Sequence, residues 1–113
     1  PKPEKEFKIY ENFDLEFKAR DISYFDRIRN RWGPDETGAL VSQVERGGWA
    51  AVDGLSEGDL IQEVDGRKVA GTRDLESGMK AIAEKKSRHI VLLVKRGIHN
   101  VFLELEPAWK EKP

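Results

Sequence analysis

The carboxylates Asp53, Asp59 and Asp65 are the first residues of this chain to suggest chemistry, because recurring acids can hold a divalent cation or divide acid and base work. Their spread along the chain and their glycine neighbours (Asp53-Gly54, Gly58-Asp59, Asp65-Gly66) read instead as turn and capping positions, where a short carboxylate accepts local backbone N–H groups. His89 and His99 are lone histidines near turns. Ser42, Ser56 and Ser87 lack a nucleophile elbow, and no glycine-rich run has the spacing of a phosphate cradle. With no cysteine, thiolate chemistry, disulfides and thiolate metal sites are excluded. Arg27, Arg29 and Arg31 with Tyr24 and Trp32 suggest nucleic acid or an acidic membrane. Asp21, Asp26, Asp35 and Glu36 surround them, so the run reads as a solvated face. The chain is expected to be catalytically silent and to need neither metal nor cofactor.

Size and charge narrow the alternatives further. The 113 residues, 38% of them hydrophobic, suit one domain with one core rather than a large enzyme. Twenty Lys and Arg against 21 Asp and Glu give a formal charge of -1, which argues against a duplex nucleic acid partner. No apolar run approaches the roughly 20 residues that cross a bilayer, so membrane insertion is not expected. The first residues do not read as a signal peptide, so none is expected within this sequence. Residues 1–6 read as linker, 7–109 as the domain and 110–113 as a tail; the start at Pro1-Lys2-Pro3 reads as a cut in the linker of a longer protein.

The elements around these residues follow from periodicity and punctuation. Phe7, Ile9, Phe13, Leu15 and Phe17 alternate with polar residues, predicting a strand from Phe13 to Arg20. Ser23 and Asp26 form a capping box for a short helix with Phe25, Ile28 and Trp32 as its buried stripe, ended by Gly33-Pro34. Ala39 to Glu45 is a strand, and Trp49 to Asp53 a helical turn closed by Gly54, with Leu55 packing back. Trp49 reads as an exposed anchor or a core plug. Ser56 to Asp59 turns into the strand Leu60 to Val64, and Asp65-Gly66 suits a two-residue hairpin to a short strand around Lys68-Val69. Thr72 is the expected cap of a helix from Arg73 to about Lys86, striped by Leu75, Met79, Ile82 and Ala83. Gly78 within it suggests a close approach. Ile90 to Val94 reads as a strand covered on both faces, and Arg96-Gly97 turns it into Val101 to Leu105. The fold class is mostly β with two to three helices (α+β), a small antiparallel β-sandwich or partial barrel.

Several spaced motifs then agree in order. Gly38-Ala39-Leu40-Val41-Ser42-Gln43-Val44, Gly47 to Leu55, Gly58-Asp59-Leu60-Ile61 through Val69, Asp74-Leu75 and Val91 to Gly97 resemble a PDZ domain, most closely the bacterial kind carried by HtrA/Deg-type serine proteases. Two strands after the long helix, with Arg20-Asp21-Ile22-Ser23 opening the domain, resemble the circularly permuted bacterial topology. Trp49 departs from the family, which commonly has Pro before the Ala pair.

The resemblance implies peptide binding by strand addition: an extended apolar or C-terminal peptide of a substrate protein pairs with the edge at Leu15 to Arg20 and lies against the helix from Arg73 to Lys86. The implied peptide-binding residues are Asp14, Leu15, Glu16, Phe17, Lys18, Ala19, Leu75, Met79 and Ile82. On pattern alone Leu15, Phe17, Met79 and Ile82 read as core; the resemblance sets the groove reading level with it. The family's Gly-hydrophobic-Gly-hydrophobic loop, which offers N–H groups to a terminal carboxylate, falls on Asp14-Leu15-Glu16-Phe17. Acids replace both glycines there, which opposes carboxylate capture, and Lys8 is the cation that would offset them. Leu75 opposes a preference for Ser or Thr two residues before a peptide's end. The resemblance further implies a substrate-binding or regulatory role beside the protease domain of a parent chain, in the bacterial periplasm or cell envelope. The alternative is an interaction domain of a non-protease envelope protein that docks an internal strand of a partner.

Overall fold

A computed structural model describes residues 9–107, so the expected linker at 1–6, the tail at 110–113, Phe7 and Lys8 lie outside the described residues. The elements run β1 (Ile9–Asn12), β2 (Phe17–Asp21), α1 (Tyr24–Asn30), β3 (Ala39–Val44), α2 (Trp49–Val52), β4 (Leu60–Val64), β5 (Arg67–Lys68), α3 (Thr72–Lys85), β6 (Ile90–Arg96) and β7 (His99–Leu105). All pairings among the described strands are antiparallel, in the order β1-β2-β3-β4-β6-β7 with β5 paired to β4. The sheet does not close on itself. Helix α3 packs across β1, β2 and β4, which gives the mostly β, α+β architecture expected of the sequence.

One apolar cluster joins the inward faces of β2, β3, β4, β6 and β7 to Leu75, Met79 and Ile82 of α3. A smaller one gathers Trp32, Leu40 and Leu60 behind α1, where the Trp32 indole N–H donates to the Gly97 carbonyl at 3.0 Å. Between them, turn chemistry sets the register. Asp65 and Gly66 both take positive φ, 49° and 80°, as the two-residue hairpin between β4 and β5 requires. The three aspartates each accept a backbone N–H: Asp53 from Glu106, Asp59 from Ser56 and Asp65 from Val91. Asp59 is 1% exposed and also takes two hydrogen bonds from the Arg96 guanidinium, both at 2.8 Å, while Arg96 donates on to the Gly54 carbonyl. A buried carboxylate paired in this two-pronged way ties the start of β4 to the end of β6.

Five expectations are corrected. The strand expected over Phe13 to Arg20 is interrupted: residues 13–16 form a turn and the strand begins at Phe17. The alternation misleads there because Leu15 is buried by the turn rather than by a pleat. In α1 the capping box is present, but Phe25 and Ile28 are 62% and 56% exposed; the helix points Asp26 inward instead, because Arg20 clamps it through bonds of 2.7 and 3.0 Å. Thr72 lies inside α3, its N–H donating to Asp21 Oδ1 at 2.7 Å, and the preceding Gly71 is the N-cap. A Cβ at Gly71 would stand 2.7 Å from that same oxygen, so the close approach falls there; at Gly78 a Cβ would meet only the Val64 side chain at 4.0 Å. Finally, β6 is covered on one face only, since Val91 is exposed.

Candidate functional site

The site is built from the hairpin of β1 and β2 and the facing side of α3. On β2, Phe17 and Ala19 point inward, and Leu15 in the preceding turn joins them; all three are buried against the cluster that includes Leu75, Met79 and Ile82. The structure therefore brings together the two implied walls. Lys18 is half-buried on the opposite face, and Asp14 and Glu16 are exposed in the turn.

The turn is held by its own backbone groups. Glu16 adopts φ 65°, a left-handed conformation that costs a non-glycine residue roughly 1 kcal/mol or more. Its carbonyl accepts from Glu45 N at 3.0 Å, and the Leu15 carbonyl accepts from Ala50 N at the start of α2 at 3.0 Å. Gly48 must lack a side chain for this contact, because a Cβ there would lie 3.0 Å from that of Glu16. Trp49, next to it, is exposed at the surface.

The outer edge of β2, expected to be open, is already paired. Strand β1 runs antiparallel to it with Ile9, Tyr10, Glu11 and Asn12 opposite Arg20, Ala19, Lys18 and Phe17. It also lies against α3. Tyr10 packs on the cluster, edge to face with Phe17 at a ring separation of 6.2 Å. Burial pushes the Tyr10 hydroxyl up to about 12, with Glu76 of α3 and Asp14 adding to the shift and the hydrogen bond from Asn12 opposing it. Asn12, 8% exposed, ends the strand: its Oδ1 accepts from Leu15 N at 2.9 Å, its carbonyl from Glu16 N at 2.8 Å, and its Nδ2 donates to the Tyr10 hydroxyl at 2.9 Å. The two loop N–H groups that would face an incoming carboxylate are held by the chain itself.

Tyr10 and Asn12 were not among the residues singled out from sequence. Tyr-Glu-Asn carries no alternating apolar signal, and the only available hint was Asn12 two residues before Asp14, a turn-initiating pattern. Elsewhere, His89 Nδ1 lies 3.0 Å from Glu104 and 3.6 Å from Glu106 in an exposed surface group.

Comparison with known proteins gives the class. A family model for the PDZ domain matches residues 22–95. The chain belongs to the PDZ domain family. Within it the resemblance to HtrA-type proteases holds: the chain is 34% identical over 74 residues to a probable periplasmic serine endoprotease, DegP-like, of Chlamydia pneumoniae, a match covering 66% of this chain and 14% of that protein. It is 43% identical over 63 residues to the magnetosome formation protease MamE of Paramagnetospirillum magneticum, covering 56% of this chain and 8% of that one. Among solved structures, an HtrA-type protease AlgW with a decapeptide superimposes with a TM-score of 0.63 at 26% identity, over 95% of this chain and 31% of that chain. The HtrA3 PDZ domain bound to a phage-derived ligand, FGRWV, gives 0.64 at 19% identity over 90% and 88%. The family match begins one residue beyond β2, so the β1–β2 hairpin lies outside it.

Proposed function

We propose that this PDZ domain binds an extended apolar peptide by strand addition along β2, with Asp14 to Ala19 as one wall and Leu75, Met79 and Ile82 as the other. It does so as the substrate-binding or regulatory module of an HtrA-like serine protease of the bacterial periplasm or envelope, acting beside that protease's catalytic domain. One observation carries the peptide reading: an antiparallel strand, β1, is already added to the edge of β2 and contacts α3, so this edge accepts an extended chain, with the Tyr10 side chain packed on the cluster. The peptide ligands of the AlgW and HtrA3 structures support it. The chain itself is a PDZ domain, and its described residues bring together no catalytic constellation. The role in a parent protease rests on relatives of which this chain spans 14% and 8%.

The acids Asp14 and Glu16 in the loop favour a ligand that presents an internal strand over one that presents a free carboxylate. That feature also fits the second reading, an envelope interaction domain docking a partner's internal strand. Titration with matched apolar peptides, free acid against C-terminal amide, tests the ligand. Equal affinities are expected; a free acid binding much more tightly would reverse the preference, and no binding by either would remove the peptide reading. Serine protease motifs upstream of Pro1 would separate the two parents.

A further inference from the structure

The groove's own occupant has the features of a ligand. Strand β1 runs antiparallel to β2, lies against α3, inserts one aromatic side chain, Tyr10, and terminates with its last carbonyl and side-chain oxygen on two successive loop N–H groups. It is also weakly held. It has four residues, Ile9 and Glu11 face outward, and only Tyr10 and Asn12 bury surface. A short edge strand of this kind opens at the low end of a protein's stability range. The turn of residues 13–16 nevertheless keeps it beside the groove, at an effective concentration of about millimolar.

We propose that β1 is a tethered ligand lying in its own groove, which an incoming peptide must displace, and that its sequence is the template of what replaces it: an extended segment with an aromatic side chain in the place of Tyr10. The proposal rests on the peptide-binding reading. Its physical content is an exchange. The ladder from β2 to β1 and the bond from Glu16 N to the Asn12 carbonyl are backbone bonds that a second chain can make equally well, and the bond from Leu15 N to Asn12 Oδ1 needs only another acceptor oxygen, so the energy lost on opening is largely regained on binding. The apparent dissociation constant is then the intrinsic one divided by the fraction of molecules with β1 released. Occupation by the tethered β1 competes out weak ligands and favours those that pack an aromatic ring on Phe17.

The test uses the full chain. Glu11 and Lys18 face each other across the two strands, and the chain has no cysteine of its own, so Glu11→Cys with Lys18→Cys creates a single disulfide that locks β1 to β2 when oxidised and frees it when reduced. The probe is a fluorescent peptide of sequence Phe-Lys-Ile-Tyr-Glu-Asn, backed by a pool of apolar peptides with free and amidated ends. The reduced form is expected to bind the probe at least about tenfold more tightly than the oxidised form, and Tyr10→Ala in the native chain at least about tenfold more tightly than the native chain. A probe with Ser in place of Tyr should bind more weakly to all of them. Circular dichroism confirms that the oxidised form is folded. Equal binding by oxidised and reduced forms would overturn the tethered ligand and leave the peptide reading standing. Failure of every form, Tyr10→Ala included, to bind the probe or any member of the pool would overturn the peptide reading itself.

Discussion

The segment from β3 to β5 and the β1–β2 hairpin hold their turns by opposite means. In the first, charged or conformationally special side chains do the holding: Asp59 on Arg96, Asp65 with Gly66 in the left-handed region, Asp53 on the Glu106 amide. No other chain can supply those partners. In the hairpin the bonds come mostly from backbone N–H groups to a neighbouring strand and to Asn12, and any extended peptide can substitute for them. The contrast separates a scaffold whose contacts are particular from a groove whose contacts are generic, which is what a strand-adding module requires.

The sharpest way to break that division is to attack the wall they share. Met79→Asp places a charge at a site 3% exposed and should cost about 4 kcal/mol or more, unfolding the domain in urea titrations; a folded, non-binding variant would mean that the wall is looser than the buried packing indicates. On the scaffold side, Arg96→Ala leaves Asp59 buried without its cation and should cost about 3 kcal/mol by the same measurement. On the hairpin side, Tyr10→Ala should cost only about 1 kcal/mol, because it frees an edge strand rather than a core element; a loss as large as that of Arg96→Ala would erase the distinction. Glu16→Gly should change stability by less than about 1 kcal/mol in the favourable direction by relieving the left-handed backbone.

Acidification probes the same contrast. The Asp26 carboxyl is pushed up by burial but pulled further down by Arg20 and Ser23, and Glu36 is held below its ordinary value by Lys95 and Gln62. Both are depressed in the fold, so their stabilisation is present above the ordinary carboxylate range and is lost as pH falls below about 4. Thermal melts between neutral and acid pH should show this decline, and Asp26→Asn should flatten it.

How legible each region is in the sequence follows from the same difference. Asp65-Gly66, Ser23 with Asp26, and the Leu60 to Val64 strand were readable because turn and capping chemistry acts within a few residues. The family motifs lie in those segments. The hairpin was not readable in the same way: Leu15 continued an alternation that the chain itself breaks, and the work of Asn12 depends on two amides that become neighbours only once the turn is made. Phe25 and Ile28 misled for a related reason, since what α1 buries is decided by Arg20 on another element. Leu15, Phe17 and Ala19 pack with Leu75, Met79 and Ile82 in one cluster, and the strand that lies beside them is not foreseen from sequence.

Asp21 closes one end of this arrangement. By accepting the Thr72 N–H over a glycine that leaves no room for a side chain, it pins the last residue of β2 to the first turn of α3. The two walls therefore behave as jaws hinged at that end. Any separation of the two walls is then expected to be smallest at the Arg20–Asp21 end of β2 and largest at the other end, beside residues 13–16.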